Sequence, residues 1–211
     1  MFASKGPIAP HLSKGELQDL RDDVASVLAP MAAITVEEFT NPAAPSVNAI
    51  KLAFATAVTA QVFTGAALNG AVGHGVMSPA RNVTVVAAAN AGGYLGSATI
   101  KGTFRGLPQT EAIVITAAAT TAGVKPFDTV TEVDIPIQPD ALGSISIGFG
   151  LLLGLAADPK SRAGLVSAVQ EIAVGVVVTT GVLSATNKTY TPAAAPDGVK
   201  DFCVYYEYVS G

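Results

Sequence analysis

Charge is scarce in this chain, and so are the side chains from which most active sites are built. Charged residues make up 13% of its 211 positions, with two histidines, one cysteine and no tryptophan. Acid–base, nucleophilic and metal chemistry all draw on those groups, so the composition points away from an enzyme. With Cys203 as its one cysteine, the chain cannot close an intramolecular disulfide, which suits assembly in a reducing cytoplasm. Cys203 lies inside a strand pattern and reads as a small buried apolar residue rather than a reactive thiol. Basic clusters are missing as well. The net charge is −4, the sequence pI is about 5.1, and lysines and arginines are scattered singly from Lys5 to Lys200. Nucleic acid and anionic membranes, which need a concentrated basic face, are therefore not expected as partners. The apolar runs Gly148 to Ala157 and Ile172 to Val178 fall short of the roughly 20 residues that cross a bilayer. The opening MFASKGPIAPH is interrupted by Pro7 and Pro10 and has no secretory core. A soluble protein is expected.

What remains is abundant small apolar residues and strand-like alternation. The 50% hydrophobic content leans on alanine, 21 glycines stand beside it, and aromatics reach only 6%, so a thin core with closely approaching backbones is expected. The length suits one domain, or one domain with an appendage. Near the start, Ser13 and Glu16 have the spacing of a capping box. Leu17, Leu20, Val24, Val27 and Leu28 then recur at helical intervals until Pro30. This predicts an amphipathic helix preceded by an extended arm, Met1 to Leu12, which either packs on its own sheet or reaches a partner. Pro42 and Pro45 mark a linker, dividing the chain into an arm and helix over 1–45 and a β-sandwich over 46–211.

Beyond Ile34 the period is that of strands. They are expected over Ile34 to Phe39, Ala49 to Phe63, Asn82 to Ala88, Ser97 to Phe104, Glu111 to Ala117, Phe127 to Ile135, Gly143 to Phe149, Val174 to Ser184 and Asp201 to Val209. Ala49 to Phe63 is too long for an average strand and predicts a bend or bulge. Arg162 to Ile172 reads either as a second helix or as a strand. Turn signals at Asn69-Gly70, Asn90 to Gly93, Arg105 to Pro108, Gln138 to Asp140 and Asp197-Gly198 separate the runs. The fold class that follows is mainly all-β, an antiparallel β-sandwich or jelly roll with an N-terminal arm and short amphipathic helix. In Gly143 to Phe149 the alternation places Ile145, Ile147 and Phe149 on a buried face and Ser144 and Ser146 on a wet one. The last strand carries Phe202, Val204, Tyr206 and Tyr208 on one face and Cys203, Tyr205 and Glu207 on the other. Its rings either close the core or present Tyr205 or Tyr208 to a neighbouring subunit.

No motif supplies a site. Gly148, Gly150 and Gly154 follow a strand, but the third glycine is one position late for a dinucleotide loop and Asp158-Pro159 interrupts the helix that loop requires. Glu132 and Asp134, two apart on one strand, could hold a cation or serve glycoside hydrolysis, yet no histidine or third acid stands nearby and a solvated strand face explains them. His11 and His74 have no ligand-spaced partners. Asn82-Val83-Thr84 and Asn187-Lys188-Thr189 match the glycosylation sequon, without an export signal to make them relevant. No catalytic, cofactor-binding or metal-binding residue is assigned, and no cofactor is expected.

Several phrases in order carry a resemblance: Ser78-Pro79-Ala80-Arg81-Asn82-Val83-Thr84-Val85, Gly96 to Gly102, Pro126-Phe127-Asp128-Thr129-Val130-Thr131, Ser144-Ile145-Ser146-Ile147-Gly148-Phe149-Gly150 and Leu153-Gly154-Leu155. The ending, Asn187 to Pro192 and Pro196-Asp197-Gly198 to Tyr205-Tyr206-Glu207, belongs with them. Over about residues 50 to 211 the chain resembles a group of tailed-bacteriophage virion proteins. The resemblance implies a β-rich structural component, a capsid decoration or cement protein that assembles as a homotrimer on the major capsid protein at the capsid surface, made in the host cytoplasm and without catalytic residues. A tail, spike or fibre protein that binds a receptor or glycan is the alternative. A virion-associated hydrolase is a third, with Glu132 and Asp134 its only foothold.

Overall fold

The computed structural model describes residues 33–159, 169–172 and 181–208. The chain divides into two compact units, Met1–Ala33 and Ile34–Gly211. The predicted arm and helix fall in the first, outside the described residues. Residues 34–45, grouped above with that arm, belong to the second unit.

The described residues of the second unit are nearly all β and antiparallel, as their alternation predicts, with one 3-10 turn at Gly65–Ala67. Its strands are β1 (Ala33–Phe39), β2 (Ser46–Ala55), β3 (Gln61–Thr64), β4 (Val76–Ala87), β5 (Ser97–Phe104), β6 (Leu107–Val114), β7 (Ala119–Ile135), β8 (Ser144–Gly154), β9 (Val169–Ile172), β10 (Val182–Ser184), β11 (Thr189–Thr191) and β12 (Asp201–Tyr208). Nine form one curled sheet in the order β10-β11-β8-β4-β7-β5-β6, with β2 also against β8 and β3 against β7. The remaining three form a small sheet, β1-β12-β9. The result is a half-barrel or sandwich-like arrangement in which the pairings of the large sheet, and that of β12 with β9, are antiparallel.

Burial follows side-chain chemistry most clearly in β5, where Ala98, Ile100, Gly102 and Phe104 are buried and the intervening residues are half-exposed. The hairpin to β6 closes through Arg105 and Gly106, both at positive φ (53° and 73°), so Phe104 pairs directly with Leu107. That two-residue geometry matches the right-handed twist of the strands. Arg105, strained there as a non-glycine, is held at both ends. Its backbone N–H donates to Asp128, and its guanidinium donates to the Leu155 carbonyl and to Asp158. Lys188, first, and Arg105 hold the Asp158 carboxyl below the usual carboxylate range by hydrogen bonding to its charged form.

The main hydrophobic cluster is built from strands of the large sheet, among them Ile50, Val83, Ile100, Phe127, Val133 and Ile147, all at 0% exposure. A second cluster joins the two sheets: Phe39, Leu153, Leu155, Tyr190, Phe202, Val204 and Tyr206. The large-ring face of β12 therefore closes a core, with Tyr208 packed against it, rather than standing free. Burial, aided by the Glu37 carboxylate at 2.9 Å, raises the Tyr206 hydroxyl above its ordinary pKa.

Several expectations change. Ala49 to Phe63 holds the expected irregularity, a register shift on β8 between Lys51 and Phe54, but it is two strands rather than one, β2 on β8 and β3 on β7, parted where Thr56 donates to the Gly143 carbonyl at 2.9 Å. β6 begins at Leu107, immediately after the turn, and β7 extends back to Ala119. Of Val174 to Ser184 only its end is described, as β10; of Arg162 to Ile172, Val169–Ile172 is strand. Ser146 is not on a wet face, being 8% exposed. Five residues of β2, Ser46 to Ile50, span the register step that two of β8 span, and the Ser46–Val47 backbone lies over the even-numbered face of β8. Ser146 Oγ donates to the Val47 carbonyl there, at 2.9 Å.

Candidate functional site

Four loops meet at one end of the large sheet, 56–60, 88–96, 115–118 and 136–143; each joins strands that are not paired with each other, and backbone hydrogen bonds draw them together, Thr56 donating to Gly143, Ala88 to Ser144 and Ala118 to Ala88. Gln138 ties three of them together. Its side chain, on a residue 1% exposed, accepts from the Leu95 N–H and donates to the carbonyls of Leu95 and Pro136, at 2.9–3.0 Å. Its backbone N–H donates to Ala57. Every hydrogen-bonding group of the buried amide is used, as a buried polar group requires. Asn90 donates to Asp140, Asp140 accepts from the Leu142 N–H, and Ala118 donates to Ala88, so the loops form one hydrogen-bonded cap.

That cap displays apolar side chains. Leu142 is 85% exposed, Val58 62%, Ile137 57% and Leu95 54%. Isolated exposed leucines are ordinary, but four large ones on loops fixed by a buried amide form a patch, and such patches mark contact surfaces. The four loops carry a single charged residue, Asp140.

A second apolar feature is an open groove of about 460 Å³ between Pro45–Val47, Thr120–Val124 of β7 and Gly150–Leu152 of β8. It exists because β7 and β8 both slip register against β4 on either side of Asn82. Asn82, 2% exposed, spans the gap: its Nδ2 donates to the Gly123 carbonyl at 2.8 Å and its Oδ1 accepts from the Leu152 N–H at 3.0 Å. Beside it Arg81 is 2% exposed with its guanidinium on the carbonyls of Ala43 and Gly150 and over the Phe149 ring; burial lowers its pKa to about 10. Carbonyl dipoles and a ring face stand in place of a carboxylate there.

The residues that the sequence singled out are not brought together. Glu132 and Asp134 are on β7, where Lys101 of β5 lies between them at 2.5 and 2.7 Å. Hydrogen bonds to Asp134 and then Glu132 raise the lysine's pKa, and the pair is engaged as a cross-strand salt bridge rather than held open for a substrate. His74 is exposed in the loop before β4, and His11 lies outside the described residues. Cys203 is buried and free in β12, beside Tyr205, whose hydroxyl it raises above its usual pKa. Gly148 to Gly154 run within β8 as strand, so no loop is present to cradle a phosphate. The first sequon's Asn82 is buried at the base of the groove. Among the described residues no group of three or more histidine, cysteine, aspartate or glutamate side chains is placed to hold a metal. Sequence reasoning missed Gln138, Leu142 and the groove. Gln138 to Asp140 carries a turn signal, but its partner Leu95 stands 43 positions away and no local pattern links them.

The chain matches no protein-family model, no curated protein and no solved structure.

Proposed function

We propose that this chain is a structural virion protein of the capsid decoration or cement type, which stabilises a phage head by binding the major capsid protein and assembles as a homotrimer on the capsid surface. The observation that carries this reading is the fixed loop end, where four large apolar side chains stand exposed on loops that hold one charged residue. A protein that acts on a small substrate concentrates its polar chemistry in a cleft. Here the buried polar side chains Gln138, Asn82 and Arg81 are spent on backbone groups, and apolar surface is turned outward. Repeated contacts across a symmetric particle suit that distribution, because each copy binds modestly and the array sums the effect. The ordered phrases from Ser78 to Glu207 support the same class.

The test is rebinding. Particles stripped of this protein, mixed with the purified full-length chain, are expected to take it up and to withstand heating better than stripped particles. Failure to rebind, or turnover of a glycan by the protein that vanishes in Glu132→Gln, would contradict the proposal.

A further inference from the structure

We infer that Lys51 and Asn69 form an intramolecular isopeptide bond, a covalent clamp between β2 and the loop that follows β3, which goes beyond the virion reading and does not depend on it. The two side chains already touch. Lys51 Nζ stands 3.1 Å from Asn69 Oδ1, and the amide carbon it would attack lies one bond beyond that oxygen. Lys51 is only 8% exposed, and its ammonium lies 4.9 Å from the centre of the Phe63 ring and 5.6 Å from that of Phe54. Among the described residues no carboxylate forms an ion pair with it. A buried charge without a counter-ion is costly, and two ring faces and one amide oxygen offset only part of that cost. An amide in its place is neutral, so forming the bond removes the charge from the interior.

Backbone contacts hold the reactants together. Gly70 N–H donates to the Ile50 carbonyl at 3.0 Å, and the Val72 and Gly73 N–H groups donate to the Ala49 carbonyl at 2.7 and 3.0 Å, so the loop is laid along β2. A Cβ at residue 70 would stand 2.2 Å from the Ala49 oxygen, which makes glycine a condition of this approach. Amine and amide therefore meet with little encounter entropy left to lose. Asn69 Oδ1 also accepts from the Leu52 N–H at 3.3 Å, a donor that faces the negative charge developing on that oxygen during addition. The bond to Ile50 engages the Gly70 nitrogen, which would otherwise close a succinimide on Asn69.

The step balances without a co-reactant. The ammonium gives one proton to solvent, which reaches the exposed Asn69. The amine lone pair adds to Asn69 Cγ, a second proton passes from the attacking nitrogen to Nδ2, and the Cγ–Nδ2 bond breaks to release ammonia. Nothing is oxidised or reduced.

Mass spectrometry of the full-length protein, purified in its folded form and incubated, reads the bond directly. Wild type is expected to weigh less than its sequence by one ammonia. Trypsin is expected to leave Lys51 uncut, so that residues 22–81 appear as a single peptide lighter by the same amount. Lys51→Arg and Asn69→Ala should each restore the full mass, whereas Lys101→Arg, at a lysine engaged by Glu132 and Asp134, should keep the loss. A wild type of full mass that is cleaved after Lys51 overturns the inference. Loss of ammonia that persists in Lys51→Arg overturns it too, because it assigns the reaction to the Gly70 nitrogen. If a variant fails to fold, the wild-type tryptic peptide decides alone.

Discussion

Replacing Ile147 with aspartate is expected to cost about 4 kcal/mol or more, a large share of the roughly 5–15 kcal/mol that holds a domain together. Ile147 is fully buried in the main cluster, on the face of β8 it shares with Ile145 and Phe149. The buried Lys51, register partner of Ile147 on β2, already has its ammonium on Asn69 and over the Phe54 and Phe63 rings, so a carboxylate at 147 either stays charged among apolar side chains, draws that ammonium out of its contacts, or takes up a proton, and each is costly. Ser146→Asp, one position along, is expected to cost about 2 kcal/mol, because it replaces a donor bonded to the Val47 carbonyl with an acceptor facing an acceptor. Thr120→Asp, exposed on β7, should fall within about 0.5 kcal/mol of wild type. Chemical denaturation of the three variants checks the order. A Ser146→Asp as benign as Thr120→Asp would mean that β2 does not cover that face.

Gly148→Ala is expected to cost about 3 kcal/mol, a large penalty for one methyl group. A Cβ at Gly148 would stand 1.7 Å from the Ser46 carbonyl oxygen, and backbone, unlike the tip of a flexible side chain, cannot turn aside. The start of β2 would have to lift away from β8, taking the Val47 acceptor of Ser146 with it. Gly93→Ala is the matched control. Its Cβ would meet nothing within 4 Å, and its cost is only that of a left-handed φ of 73°, roughly 1 kcal/mol. Thermal melts of the two proteins should separate clearly, and equal midpoints would contradict the close approach.

How far the sequence could be read depended on whether the two faces of a strand differ. Ser97 to Phe104 was legible to the residue because every second side chain is buried and the others face water. Asp201 to Val209 was legible as β12, Asp201–Tyr208, with Val209 outside the described residues, although Phe202, Cys203 and Val204 are all buried and its faces differ less. β2 and β3 ran together because Thr56 to Ala60 contains no glycine, proline, asparagine or aspartate to mark the change of partner; a bond to Gly143, 87 positions away, makes the break. The first half of β7, Ala119 to Lys125, carries no clear alternation, and its slipped register at Gly123 follows from Asn82 and Glu111, both remote in sequence. β4 begins before Pro79, which no ladder position should tolerate. Pro79 sits in the unpaired interval between Val76 and Arg81, where no N–H is required. The serines of β8 followed the alternation rule, but that rule knows nothing of a strand lying across the face. The loop end escaped for a related reason: turn residues are legible one loop at a time, whereas the patch exists only once Gln138 gathers three loops.

Copy number in purified virions tests the central claim most directly. Quantitative mass spectrometry of particles that carry this protein, normalised to the major capsid protein, reads it without any assumption about the docking site. A decoration or cement protein predicts hundreds of copies per particle, in a fixed ratio to the capsid lattice and in multiples of three. About a dozen copies or fewer, co-purifying with tails rather than heads, would contradict the account and assign the chain to a tail or spike.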